Sequence, residues 1–108
     1  MPEKKPCPNA HAMVESIVGC KWSLQILAQI QHGTHRPGMI EKSIAGLSTK
    51  VMNERLVKLA RFGILQRQVF AEVPPRVEYR FTDFGQQFLT VLRAIDQLEA
   101  QRSDESGE

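Results

Sequence analysis

The chain of 108 residues lacks the features that mark several protein classes. It has no glycine-rich phosphate loop and no Gly-x-Ser-x-Gly turn, and no pair of carboxylates stands in a setting typical of a catalytic pocket. No apolar run is long enough to span a membrane. The N-terminal residues lack the apolar core of a signal peptide. These absences argue against an enzyme or a membrane partner, and we expect a cytoplasmic location.

Cysteine is scarce, with only Cys7 and Cys20, so a disulfide framework is excluded and we expect free thiols. Cys7 follows Lys4 and Lys5, and nearby positive charge favours a reactive thiolate. Cys20 begins an apolar helix and is interpreted as a small buried hydrophobe, although a helix start can also lower the pKa of a thiol. The spacing of Cys7 and His11 suits one metal ion, but two ligands are too few, so we predict no metal and no cofactor.

The net charge of +2 is unevenly distributed along the chain. Residues 36–80 carry nine Lys and Arg against four acidic residues, a net charge of +5, whereas residues 81–108 have a net charge of −4. A basic middle segment predicts a polyanionic partner for that segment.

Hydrophobic periodicity predicts one domain over residues 9–102, between a flexible arm at 1–8 and a disordered tail at 103–108. The first predicted helix begins after an Asn9 cap, the second runs from 21 to 31 and the third from 37 to 43. The fourth lies between Ser48 and Gly63, and the fifth begins after a Thr82 cap. A turn containing Gly joins the third and fourth helices, which is typical of a helix-turn-helix.

The fourth helix is amphipathic. Ser48 is suited to cap its first turn, and Gly63 to end it in the left-handed conformation. The apolar side chains at its helical spacing are Met52, Leu56 and Leu59. Arg55 is expected beside that apolar face, and the remaining face is polar.

Beyond Gly63 the pattern changes to that of strands. The run 64–73 favours a strand, Pro74 and Pro75 interrupt it, and the run 76–82 alternates polar with apolar residues. Two strands around a tip form a hairpin. The predicted fold class is therefore α+β, mostly helical: a winged helix-turn-helix with a two-stranded wing.

A helix of this kind fits the major groove of DNA, with its N-terminal side chains against the base edges. Each polar residue taken singly is more often ordinary solvated charge, but their order in a helix-turn-helix and wing favours DNA binding. We predict a double-stranded-DNA-binding transcriptional regulator; the alternative is a winged-helix protein-interaction module. The predicted DNA-binding residues are Ser48, Thr49, Lys50, Asn53, Lys58 and Arg76.

The last helix carries apolar residues at steps of four and three, which is the pattern of a seam for a partner helix. Two interpretations stay open, since this stripe either packs against a second subunit or covers the core of its own chain. The residues of the stripe are Phe84, Phe88, Val91, Ile95 and Leu98.

A set of short segments spread over residues 7–98 matches a known pattern. These segments are Cys7-Pro8, 19–22, 46–48, Arg55-Leu56-Leu59, 63–65, 73–79, Thr82 and Gly85. Together they resemble the HxlR-type transcriptional regulators. The resemblance implies a winged helix related to MarR-like regulators, acting as a homodimer on inverted-repeat operators, with the N- and C-terminal helices at the dimer interface, and it implies that Cys7 senses oxidants or electrophiles, which would be the effector. We expect such a regulator to act as a repressor.

This sequence departs from the family pattern at three positions. Cys20 stands where the family usually has Gly, which raises the prospect of an added thiol function. Pro37 replaces a common aromatic residue and Met39 a common acid, so the third helix is altered.

Overall fold

The computed structural model describes residues 9–106, with the side chains of residues 9–102. The arm at 1–8, including Cys7, lies outside the described residues. Within residues 9–106, five helices and one antiparallel hairpin form the mostly helical winged helix-turn-helix that the sequence predicts. The elements are α1 (Ala10–Val18), α2 (Lys21–Gln31), α3 (Pro37–Ser43), α4 (Thr49–Arg61), β1 (Leu65–Phe70), β2 (Arg76–Phe81) and α5 (Asp83–Ser106).

Local capping sets the helix ends that the sequence predicts. The Asn9 side chain accepts a hydrogen bond from the Ala12 amide at 2.8 Å, and the Ser48 hydroxyl accepts one from the Val51 amide at 3.1 Å. Gly63 has a φ of +84° and directly follows the C-cap of α4. That left-handed conformation is strained for other residues and therefore ends the helix sharply.

Helix α5 runs to Ser106, four residues beyond the predicted boundary at Arg102. The sequence predicts a disordered tail at 103–108, whereas the backbone of residues 103–106 is described as helical. The sequence has no Gly or Pro between Gly85 and Gly107, so nothing local stops the helix at Arg102. Within residues 9–106 no helix combines the length and the apolar character needed to cross a membrane.

The core lies between helices α1–α4 and the hairpin. Burying a large aliphatic side chain contributes about 1.5–3 kcal/mol, so the core fixes the position of α4. The fully buried side chains are Ile17, Ile26, Leu27, Ile30, Ile40, Leu56, Leu59, Ile64 and Leu65.

The hairpin is joined to the helix-turn-helix through its second strand. Strand β1 pairs with β2 from Leu65 opposite Phe81 to Phe70 opposite Arg76. The loop before α3 adds to the same strand, because the Tyr79 amide donates to the His35 carbonyl at 2.9 Å. A displacement of the wing therefore acts on the segment that leads into α3.

Thr82 joins the hairpin to α5. Its hydroxyl accepts a hydrogen bond from the Gly85 amide at 2.9 Å and also contacts the Gly63 carbonyl. Its amide donates to the Ile64 carbonyl at 3.0 Å. The predicted Thr82 cap is thus present, and it also fastens the start of α5 to the end of α4.

Candidate nucleic-acid interface

Helix α4 turns a polar face outward because its apolar face is fixed in the core. Met52, Leu56 and Leu59 are 2%, 0% and 1% exposed, as their spacing predicts. The Ser48 cap places the first turn of α4 at the surface. The N-terminal end of the helix is therefore both rigid and accessible.

Four of the predicted residues come together at that end. The side chains of Lys50 and Asn53 are exposed, and within residues 9–102 neither side chain has a hydrogen-bond or ion-pair partner. Thr49 is exposed as well, but its hydroxyl donates to the Glu41 carboxylate at 2.6 Å. The hydroxyl oxygen of Ser48 accepts the capping hydrogen bond from the Val51 amide, so this side chain already has a partner within the protein.

Lys58 is half-buried and lies apart from this group. It follows Lys50 by eight residues, which is about 12 Å along a helix. Arg55 lies beside the core face, as the sequence indicates, and its Nε is buried without a partner among the described residues. The structure thus separates Lys58 from the residues at the start of α4.

Arg76 begins strand β2, and its charge is already paired. Its guanidinium lies 3.0 Å from Glu72 Oε2 and 3.5 Å from Glu78 Oε2, and it sits 3.9 Å from the centre of the Phe70 ring. A contact from Arg76 to DNA would require Arg76 to break its ion pairs with Glu72 and Glu78. On the hairpin, Arg67 is the exposed cation without a partner in the described part of the chain.

Glu78 lies on the hairpin, as predicted, but its burial differs from the pattern of its strand. Alternation predicts an exposed side chain, yet Glu78 is only 8% exposed. The Arg80 guanidinium donates to its carboxylate at 2.8 and 3.2 Å. That hydrogen bonding lowers the pKa of Glu78, and the charges of Arg80, Arg76 and His35 lower it further, against the opposing effect of burial. The carboxylate therefore stays charged and holds the base of the wing.

Cys20 is half-exposed rather than buried, and it is the N-cap of α2. Burial raises the pKa of its thiol, but hydrogen bonding to Ser23 and the positive charge of Arg55 outweigh burial, so the net pKa is lowered. The interpretation of Cys20 as a buried hydrophobe was wrong. The lowered pKa agrees with the alternative, in which a thiol at the start of a helix has a lowered pKa. Within residues 9–106 no cluster of three or more metal-binding side chains surrounds it.

Helix α5 presents two different apolar faces. Phe88 and Leu89 are each 3% exposed and cover the core of their own chain. Phe84, Val91 and Leu98 are 46%, 37% and 63% exposed. Part of the stripe thus covers the core of its own chain, and its outer side remains uncovered in the single chain.

Comparison with known proteins places this geometry in a family. Residues 17–106 match the model of the HxlR-like helix-turn-helix, which covers the end of α1 and every later element. The chain belongs to the HxlR-like helix-turn-helix family. The resemblance found in the sequence is thereby confirmed. HxlR-like relatives are transcriptional regulators rather than enzymes, which also confirms that expectation.

Two relatives extend over most of this HxlR-like chain. The HTH-type transcriptional regulator sll1512 of Synechocystis sp. is 38% identical over 92 residues, 85% of this chain and 67% of its own length. The HTH-type transcriptional regulator YvaP of Bacillus subtilis is 32% identical over 106 residues, 98% of this chain and 97% of its own length.

Solved structures share the winged-helix fold. A MarR-family regulator from Enterococcus faecalis V583 has a TM-score of 0.80 at 23% identity and covers 97% of this chain and 98% of its own. At that identity the likeness concerns the fold alone. The reduced form of the transcriptional regulator YodB from B. subtilis has a TM-score of 0.70 at 30% identity, with 94% of each chain covered.

Proposed function

We propose that this HxlR-like protein binds double-stranded DNA sequence-specifically, with the N-terminal end of α4 in the major groove. The observation that carries the proposal is the pair Lys50 and Asn53, which is exposed and unpartnered beside Thr49. Polar side chains at the start of such a helix are the ones that meet base edges. Asn suits adenine, and Lys suits guanine or a phosphate.

The remaining predicted residues take supporting parts in this proposal. Lys58 binds a phosphate on the flank of the groove, and Ser48 holds the helix start. The exposed Arg67 on the hairpin is better placed for the adjacent backbone than the paired Arg76. The +5 charge of residues 36–80 predicts binding that weakens as salt is raised.

We further propose a homodimer that binds an inverted repeat and represses transcription. The uncovered side chains Phe84, Val91 and Leu98 follow one another at steps of about two turns on α5, which suits packing against the same helix of a second copy. A two-fold dimer presents two copies of α4, so its operator has two half-sites in inverted orientation. Repression follows when such an operator overlaps a promoter.

Cys7 is proposed as the site at which an oxidant or electrophile acts. It lies outside the described residues, so the support comes from Lys4 and Lys5 beside it and from YodB. That relative was solved both reduced and after diamide treatment. The Cys7→Ser variant is expected to bind DNA in the absence of oxidant and to stop responding when diamide is added. A response equal to that of the wild type would contradict the proposal.

DNA binding is tested by fluorescence anisotropy with a labelled duplex from the promoter of the protein's own gene, over a range of salt. The double variant Lys50→Ala/Asn53→Ala is expected to lose at least about tenfold in affinity. The control Lys21→Ala/Gln25→Ala removes one positive charge and one amide from exposed positions on α2, and it should bind like the wild type.

The alternative function, a protein-interaction module, predicts a different result. Such a module would show no salt-dependent affinity for any duplex, although the fold is intact by circular dichroism. Equal affinities for the double variant and its control would likewise contradict the placement of α4 in the groove.

A further inference from the structure

The hydroxyl of Thr49 already makes a hydrogen bond within the protein, which restricts the hydrogen bonds it can make to a base. Thr49 is the first residue of α4, and its hydroxyl donates to Oε2 of Glu41 at 2.6 Å. A hydroxyl that donates to a carboxylate makes a short, charge-assisted bond, which is stronger than a neutral one. The bond crosses the turn between α3 and α4, so both helices hold it in place.

This bond leaves the Thr49 oxygen with acceptor capacity only. A hydroxyl has one proton to donate and two lone pairs that accept. Because the single proton points at Glu41, only the lone pairs remain for a ligand. The Glu41 carboxylate adds more acceptors and no donor. The two side chains together present a surface of acceptors beside Lys50.

The base edges of the major groove respond differently to such a surface. Adenine N6 and cytosine N4 donate hydrogen bonds, whereas guanine O6 and thymine O4 only accept. A freely rotating hydroxyl would suit either kind of group. An acceptor-only hydroxyl selects the amino bases and repels the keto bases.

We infer that Glu41 determines specificity by fixing Thr49 as a hydrogen-bond acceptor, so that α4 selects adenine or cytosine over guanine or thymine at one position of each half-site. Glu41 acts through Thr49 and is a positioning residue. The inference rests on the proposed function, because it requires the start of α4 to lie in the major groove.

The test begins with selection of duplexes from a randomised library by the wild type and by Thr49→Val. Valine keeps the shape and removes the hydroxyl, so the motif position whose preference changes is the one that Thr49 reads. Dissociation constants are then measured for four duplexes that differ only at that position. The wild type is expected to bind the two with adenine or cytosine on one strand roughly three- to tenfold more tightly than the other two.

Two further variants separate the hydrogen bond from the charge. Glu41→Ala frees the Thr49 proton, so the four duplexes should bind within about twofold of one another. Glu54→Ala removes the same charge from an exposed position of α4 that has no partner among the described residues, and it should keep the wild-type preference. Thr49→Ser keeps the hydroxyl and should keep the preference too.

The inference is overturned if Glu41→Ala retains the wild-type preference, if Thr49→Val changes no position, or if the lost preference separates purines from pyrimidines. Failure of the proposed function looks different, because the wild type would then enrich no sequence at all. Thermal unfolding of each variant confirms that the comparison concerns folded protein.

Discussion

Replacing Gly85 by alanine is predicted to destabilise the fold, because α5 starts against the backbone of Ile64, the residue before β1. A Cβ at this position would lie 2.1 Å from the Ile64 carbonyl oxygen and 3.0 Å from Cδ1 of Phe81. The Ile64 carbonyl cannot turn aside freely, since it accepts the Thr82 amide at 3.0 Å. In Gly85→Ala the first turn of α5 must therefore move by about 1 Å to restore ordinary contact distances.

The expected cost follows from three contributions. Overpacking costs about 1–3 kcal/mol, and the weakened Thr82 hydrogen bonds add about 1 kcal/mol. Alanine in place of glycine within a helix recovers about 1 kcal/mol. The net free energy of unfolding should fall by about 1–3 kcal/mol. At about 4–8 °C per kcal/mol for a small domain, Tm should fall by roughly 4–24 °C.

Thermal denaturation followed by circular dichroism measures this effect, with all samples at one protein concentration because dimerisation shifts Tm. Gly38→Ala is the matched control, since Gly38 is also helical and a Cβ there has no neighbour within 4 Å. The control should unfold at the wild-type temperature or slightly above it. The reasoning is refuted if Gly85→Ala unfolds within about 1 °C of the wild type.

Three further perturbations have distinct readouts. Ser48→Ala removes the cap of α4 and should lower the free energy of unfolding in urea by about 1 kcal/mol, whereas Ser48→Asp should restore it. The pKa of Glu78 is lowered in the folded state from its ordinary 4.5. The stability that the charged carboxylate gives to the fold is therefore fully present above pH 4.5 and is lost as pH falls through the folded-state pKa. Glu78→Gln should therefore flatten the loss of Tm on acidification, and parallel pH profiles would contradict this. Leu98→Asp places a charge on the uncovered face of α5, so sedimentation should show monomers; Tm of the monomer should not fall below that of the diluted wild type.

The parts of the fold that sequence predicts well are those in which the cause is local. A cap acts on an amide two or three residues away, and an apolar stripe shows itself within two turns. The bounds of α4 and its buried face follow from Ser48, Gly63 and Met52 for this reason. The start of α5 at Thr82 follows as well, although the contact with Gly63 across the fold does not.

The parts that sequence misses depend on side chains that meet across the fold. Glu41 and Thr49 are eight residues apart and meet only because the turn folds α3 onto α4. Glu78 is buried because Arg76 and Arg80 close over it, and no alternation pattern contains that information. Because Arg76 is ion-paired in this way, it is not a free cation, although the sequence predicts it as a DNA-binding residue.

The contacts of Thr82 connect α5, which carries the proposed dimer interface, to the proposed recognition helix α4. Its side chain contacts Gly63 at the end of α4 and accepts from Gly85 in the first turn of α5, while its amide binds Ile64 just before the hairpin. A rotation of α5 in the proposed dimer must either carry the end of α4 with it or break these bonds. Because α4 is one continuous helix, displacement at its C-terminal end also displaces Lys50 and the rest of its N-terminal turn. In the proposed dimer, the spacing of the two α4 N-terminal ends therefore depends on the packing of α5, without any change at the wing tip.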